Sequence, residues 1–338
     1  MVAGLAALVV GFFFPGFGAA VAGRLRWALG WAIAVVVLFL CTLATPWAIW
    51  LSLAARITGA FQGGWFVYRA PKTEWFSQYT LATAGAHVIA SILIFAYALE
   101  GFAAPSSSMS PTLMVGDHVF ADKLTPRFKP IERGDVILFR YPCDQRRDWI
   151  KRVVAVGGDT VEIRCHVVYL NGKAVPTTQV AAHTRYVDHD ETSDDWPERD
   201  VSEYRETLGG HTYDVYSAVD RAEARDEPAS RDFPQRGRSI VPSCSDAPDY
   251  DGQVSAARKL SGTGKIVEDK PDGTPACEPQ LHFVVPPRAF FVMGDNRDNS
   301  NDSRVWGVVG EDAVIGRANG IWLSKTTGYS WARVRRFD

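Results

Sequence analysis

The chain has 338 residues, 47% of them hydrophobic, with 36 basic and 38 acidic side chains and a formal net charge of -2. Its first 100 residues hold only Arg24, Arg26, Arg56, Arg69, Lys72, Glu74 and Glu100 as charges, so an apolar first third precedes a charged, water-soluble remainder. That asymmetry excludes a purely cytosolic enzyme, and mild acidity without a Lys/Arg block excludes a nucleic-acid binder.

Three apolar stretches come first, at about 2–22, 27–53 and 79–99, and residues 1–99 read as a membrane anchor of two to three transmembrane segments. A bilayer core needs roughly 20 apolar helical residues, a length the second and third stretches reach. Phe14-Pro15-Gly16-Phe17-Gly18 interrupts the first, which predicts a broken or re-entrant helix there. A cleavable leader is rejected at the start. The stretch has no basic lead-in, and Arg24 and Arg26 are followed at once by more apolar chain. Arg56, Arg69 and Lys72 in the 54–78 loop outnumber Arg24 and Arg26. This places that loop in the cytoplasm and residues 100–338 outside it. Trp47, Trp50, Trp65 and Trp75 suit the interfacial zones.

Beyond Glu100 the pattern turns to short alternating or β-branched runs split by Gly, Pro and Asp. Strands are predicted at 115–123, 135–141, 149–156, 160–171, 281–285, 290–293 and 314–323. Asn171-Gly172 marks a hairpin turn. The expected architecture is N-terminal transmembrane helices followed by a mainly β catalytic domain, 100–176 and 281–338. An inserted irregular or β subdomain occupies 177–280. The insert is charged and poor in large apolar residues, which predicts loops without a core of their own. One hairpin is expected within it, over 203–216 about Gly209-Gly210.

Cys41 lies in an apolar stretch and reads as a packed small side chain. Cys143, Cys165, Cys244 and Cys277 all fall in the polar part. Their even number suits an oxidising compartment and up to two disulfides, with three pairings open. No zinc-type Cys or His spacing occurs, so no metal is expected.

Four stretches carry chemistry. Pro105 to Asp117 places small hydroxyl residues around Met109 and Pro111, an extended turn able to expose a serine. Asp148 to Asp159 reads as a strand with Trp149, Lys151, Val153 and Ala155 on one face and Ile150, Arg152, Val154 and Val156 on the other. One of the two cations must then meet an apolar surface. A desolvated lysine loses its proton near neutral pH, whereas arginine does not, so Lys151 is the candidate general base. Arg133 to Pro142 reads as scaffold. Gly294 to Gly307 is dense in carboxylates, hydroxyls and guanidiniums able to fix one another. Asp295, Asp298 and Asp302 could supply oxygens to calcium, but they lack EF-hand spacing and Arg297 and Arg304 offset their charge. His118 and His282 read as structural.

In this order the four stretches resemble the boxes of bacterial type I signal peptidases (leader peptidases), membrane-anchored Ser–Lys endoproteases of family S26. The resemblance covers roughly 100–175 and 281–324. It rests on Ser-Met-Ser-Pro-Thr-Leu (108–113), Ile-Lys-Arg (150–152) and Gly-Asp-Asn-Arg-Asp-Asn-Ser-Asn-Asp-Ser-Arg-Val-Trp-Gly (294–307). It implies Ser108 as nucleophile, Lys151 as general base, and Ser106 with the Ser108 N–H as oxyanion hole. Ser300, Asp302 and Arg304 would be supporting residues, with Ser300 bonded to the lysine. Phe102, Met109, Leu113, Trp149 and Ile150 would line pockets for small side chains. No cofactor is implied. The partners would be exported preproteins, cut after small residues at -1 and -3, and membrane lipids. The location would be the bacterial inner membrane, multi-pass, with the catalytic part on the outer side. Ser107 stands where glycine is frequent, and Val305 where an aromatic is common. The rival readings are a Ser–Lys protease with a narrower client and a tethered module that only binds preproteins.

Overall fold

The structure is a computed structural model, and it describes residues 2–41, 48–70, 81, 84–85, 88–89, 98–189, 195–218, 231–235, 244, 264–270, 273–325 and 331–337. The apolar first third folds as helices α1 (Val2–Phe13), α2 (Phe17–Val21), α3 (Leu25–Leu40) and α4 (Ala48–Arg69). The break expected at Pro15-Gly16 separates α1 from α2, with Gly16 at φ +87°. The second stretch differs from the sequence expectation of one span over 27–53. It is two helices, with Pro46 in the sequence between them, and α4 runs on through the segment expected to be a loop. Small residues make this possible by letting backbones approach. A Cβ on Gly18 would stand 2.6 Å from the Gly63 backbone, and one on Gly11 would stand 3.4 Å from Ala60. Arg56, expected in a cytoplasmic loop, lies on α4 and donates to the Phe13 carbonyl at the end of α1 (3.1 Å). No described helix is long and apolar enough to cross a membrane. The third stretch lies almost wholly outside the described residues, and its last residue, Leu99, opens a strand.

The polar part is β-rich. One seven-stranded sheet has the order β1-β2-β15-β3-β4-β13-β14. Its strands are β1 (Leu99–Ala103), β2 (Asp117–Asp122), β3 (Val136–Arg140), β4 (Asp148–Val156), β13 (Ala289–Met293), β14 (Val309–Gly310) and β15 (Val314–Ser324). A five-stranded sheet runs β11-β12-β5-β6-β7, from β5 (Thr160–Arg164), β6 (Val167–Leu170), β7 (Lys173–Ala174), β11 (Lys265–Glu268) and β12 (Leu281–Val284). The single strand expected over 160–171 is thus two, because Cys165 and His166 turn the chain at φ 45° and 65°. Asn171 and Gly172 also take positive φ and form the predicted hairpin turn.

A third sheet, β10-β9-β8, follows residue 176, where the sequence left irregular or β chain open and its charge suggested loops. It comprises β8 (Thr177–Val187), β9 (Glu198–Leu208) and β10 (His211–Ser217), and the last two form the hairpin expected about Gly209-Gly210. The inward face of β9 carries Tyr204, Glu206 and Leu208. A buried glutamate in that row breaks the apolar alternation and makes the strand look solvent-exposed in sequence. Tyr204, Leu208, Tyr213 and Val215 pack with Val154, Phe283, Phe291 and Met293, so all three sheets share one core. Disulfides join Cys143 to Cys244 and Cys165 to Cys277. At the other end, Trp50 of α4 meets Trp322 of β15, ring centroids 6.5 Å apart, and Trp322 stacks on Phe120.

Candidate active site

The chain leaves β1 at Ala103 and returns at Asp117. Ala104 N–H donates to Asp117 O (2.8 Å) and Gly116 N–H to Ala104 O (3.0 Å), closing the loop between them. Within it, Ser110 N–H bonds Ser107 O (2.9 Å) and Leu113 N–H bonds Met109 O (2.9 Å). Met109 and Leu113 plunge into the core beside Val119, Leu138 and Ile150. Those two apolar anchors hold the loop down and leave Ser106 and Ser108 half-exposed at its crest. Their hydroxyl oxygens are 3.3 Å apart.

Strand β4 passes beneath. Its alternation brings Lys151 to the loop, with Nζ 2.7 Å from Ser108 Oγ and 3.1 Å from the Ile150 carbonyl. The side chain is buried, lies 5.2 Å from the Trp149 ring centre, and makes no ion pair among the described residues. Burial pulls its pKa down to about 8, against the more distant pull of Asp302 and Asp295. Arg152, on the opposite face, is buried too but fully engaged. It donates to both Asp295 oxygens (2.8 and 2.7 Å), to Gly134 O (2.7 Å) and to Thr112 Oγ1 (3.2 Å).

The segment after β13 packs against the loop from the other side. Gly294 is obligatory there, since a Cβ would stand 2.4 Å from Ser108 O and 2.2 Å from Ser300 Oγ. Asp302 accepts from Gly294 N–H (3.1 Å) and from Arg304 Nε and Nη2 (both 2.8 Å). Although burial works against its charge, Arg304 beside it holds the Asp302 carboxyl below its usual range. Arg304 also donates to the Arg297 carbonyl (2.5 Å), and Arg297 pairs with the buried Glu206 of β9. Ser300 is buried against the loop but makes no hydrogen bond to Lys151, a departure from the expected contact.

A cleft of about 670 Å³ opens over Ser108 and Lys151. Phe102, Trp149 and Ile150 line it, as expected, together with Ser106, Ser107 and Ser300. Met109 and Leu113 do not, because they are spent as core anchors at 1% and 0% exposure. Asp188, His189, Arg199, Arg231, Asn299 and Asn301 form further wall that sequence reasoning missed. The two asparagines stood in a stretch already singled out, but nothing near Asp188 or Arg199 marked them. The three aspartates weighed for calcium are each engaged elsewhere: Asp295 by Arg152, Asp298 by Ser217 and the Ala218 N–H, and Asp302 by Arg304. His118 packs against Trp322 and His282 against Asp269, and neither lines the cleft.

The family model described as "Signal peptidase, peptidase S26" matches residues 73–323. The chain belongs to the signal peptidase family, peptidase S26. It is 32% identical over 249 residues to signal peptidase I of Aquifex aeolicus, covering 70% of this chain and 80% of that one. Signal peptidase I of Pseudomonas fluorescens is 26% identical, with 69% and 68% covered. That of Rickettsia typhi is 29% identical, with 69% and 74% covered. A solved signal peptidase I from Enterococcus faecalis covers 56% of this chain and 97% of its own, at 19% identity and a TM-score of 0.24, too loose a superposition to argue from. Membership makes this signal peptidase a serine peptidase, and the cleft over Ser108 is the place to look for its chemistry.

Proposed function

We propose that this peptidase removes N-terminal signal peptides from exported preproteins by a Ser108–Lys151 dyad, with small residues preferred at -1 and -3. The observation that carries the reading is the buried Lys151 amine, 2.7 Å from Ser108 Oγ and free of any ion pair among the described residues.

A serine hydroxyl is a poor nucleophile until a base takes its proton, and a desolvated amine with a pKa of about 8 suits that task near neutral pH. As Ser108 Oγ bonds to the carbonyl carbon of residue -1, its proton passes to Lys151 Nζ. The negative charge that grows on the carbonyl oxygen meets the Ser108 N–H and the Ser106 hydroxyl, donors worth about 2.7–4 kcal/mol each in comparable sites. The Lys151 ammonium then gives its proton to the departing amine of the mature protein, leaving an acyl-enzyme. Water enters, loses a proton to Lys151 and splits the ester, which restores Ser108. Phe102, Trp149 and Ile150 would form the shallow apolar subsites that admit only small side chains. Ser300, Asp302 and Arg304 would support the dyad from beneath the cleft.

Residues 1–99 are proposed as a membrane anchor, which would set the cleft close to lipid and to emerging signal peptides. The exposed Leu5, Val9, Phe13, Ile33, Val37, Leu51 and Phe61 of α1, α3 and α4 favour an apolar surround. Residues 100–176 and 281–338 would form the catalytic domain, with 177–280 inserted. The two disulfides favour the oxidising, outer side of the inner membrane.

The test is cleavage of a purified preprotein bearing Ala-x-Ala before its junction, in detergent with lipid. The native protein should cut after the second alanine and Ser108→Ala should not. Equal cutting by both, or none by a folded native protein, would overturn the reading.

A further inference from the structure

Ser107 stands between the two serines of the crest, and its side chain is buried at 3% exposure. It is not idle. Its hydroxyl donates to Asp188, the residue that follows β8, and Asn299 Nδ2 lies 3.3 Å from the same oxygen. Asp188 is fixed in turn. Its backbone N–H bonds Pro197 O (2.9 Å), and its carboxylate accepts from His189 N–H (3.0 Å), Asn299 Nδ2 (3.0 Å) and Arg199 Nε (3.3 Å). Asn299 also reaches the hydroxyl of Tyr186, which stacks on Tyr216 of β10. The third sheet therefore grips the crest through one side chain.

The backbone of the same residue is held from another direction. Ser107 O accepts from Asn296 Nδ2 (3.2 Å) and Ser110 N–H (2.9 Å), and Asn296 N–H donates to Ser108 O (3.1 Å). In a trans peptide the C=O of one residue and the N–H of the next point in opposite directions. Turning the Ser107 carbonyl toward Asn296 thus turns the Ser108 N–H away from Asn296. That peptide can turn only about the Ser107 Cα–C and Ser108 N–Cα bonds, and the bond from the Ser107 hydroxyl to Asp188 holds in place the Cα at one end of this turn.

We infer that Asp188 and Asn296 are positioning residues which, acting on the side chain and carbonyl of Ser107, aim the Ser108 N–H at the substrate oxyanion. The inference rests on the Ser108–Lys151 reading and gives the sheet after residue 176 a task in catalysis. A donor aimed in advance stabilises the transition state more than bound substrate, so losing the aim lowers kcat and spares KM.

The experiment is a double-mutant cycle on the full chain with an Ala-x-Ala preprotein, using Ser107→Ala, Asp188→Ala and the pair, with Ser107→Thr as the conservative variant. Each single change should lower kcat by about tenfold, leave KM within about twofold, and keep the pH midpoint of kcat/KM where the native protein has it. The pair should be no worse than either single, since both remove one bond. Ser107→Thr keeps the hydroxyl and should recover most of the rate. Asn296→Ala should lower kcat further, again at unchanged KM. Thermal melting of every variant separates lost aim from lost folding. Additive losses, a raised KM, a moved midpoint or unchanged kcat would overturn the inference. If the native protein keeps its rate when Lys151 is replaced, the dyad reading fails instead, which is a distinguishable result.

Discussion

Lys151 and Arg152 are neighbours on one strand, both buried, and their surroundings differ in almost every respect. Arg152 enters a prepared site: a bidentate carboxylate, a carbonyl, a hydroxyl and the face of Tyr213, 3.7 Å from the guanidinium. Lys151 enters a site with one hydroxyl, one carbonyl and an indole, its nearest carboxylates acting only from beyond ion-pair range. Arginine keeps its charge at any ordinary pH, so its site must neutralise it. Lysine can shed its proton, so a site that withholds a partner makes it a base. The lesson is that burial alone does not mark a cation as a candidate base; burial without a carboxylate partner does.

Replacement of each cation in turn should separate these roles. Lys151→Met should lower cleavage by about 10⁴-fold or more, the scale of losing a positioned general base, while the protein stays folded. Preprotein cleavage beside a melting curve checks both halves. Arg152→Met strands the Asp295 carboxylate in the interior and should cost about 3–5 kcal/mol, a fall in Tm of roughly 10 °C. The pair Arg152→Met and Asp295→Leu should regain most of that stability. If it does not, the ion pair is not the reason for the loss.

The third expectation concerns pH. Because the folded pKa of Lys151, about 8, lies below its ordinary value of 10.5, the unfolded chain binds more protons between those limits. Stability should therefore climb as pH rises from about 8 to 10.5, by about 3 kcal/mol from this group. The gain should be absent from the Lys151→Met protein and so appear in full as the difference between the two denaturation series. The rate should follow the same titration, with kcat/KM rising with pH to a midpoint near 8.

Strands β2 to β6, β12, β13 and β15 were legible because alternation and turn chemistry are local signals, and Ser108 and Lys151 were legible as candidates from the motifs around them. Four things were not. The run of α4 through 54–69 goes with close glycine contacts to α1 and α2, far off in sequence, which leave no periodic trace. β1 hid behind apolar chain that looked like the end of a span. The buried pair of Glu206 and Arg297 joins residues 91 apart, and in sequence its glutamate simply looked exposed. Met109 and Leu113 were apolar beside a candidate nucleophile, which fits a pocket as well as a core, and only packing separates the two.

The two disulfides interleave, one joining residues 143 and 244 and the other 165 and 277. Wherever a single backbone cut falls between 143 and 277, at least one bridge still spans it. The chain can thus be nicked once between those limits without shedding a fragment. Such a molecule would run as a single band on a gel until a reductant separated the pieces.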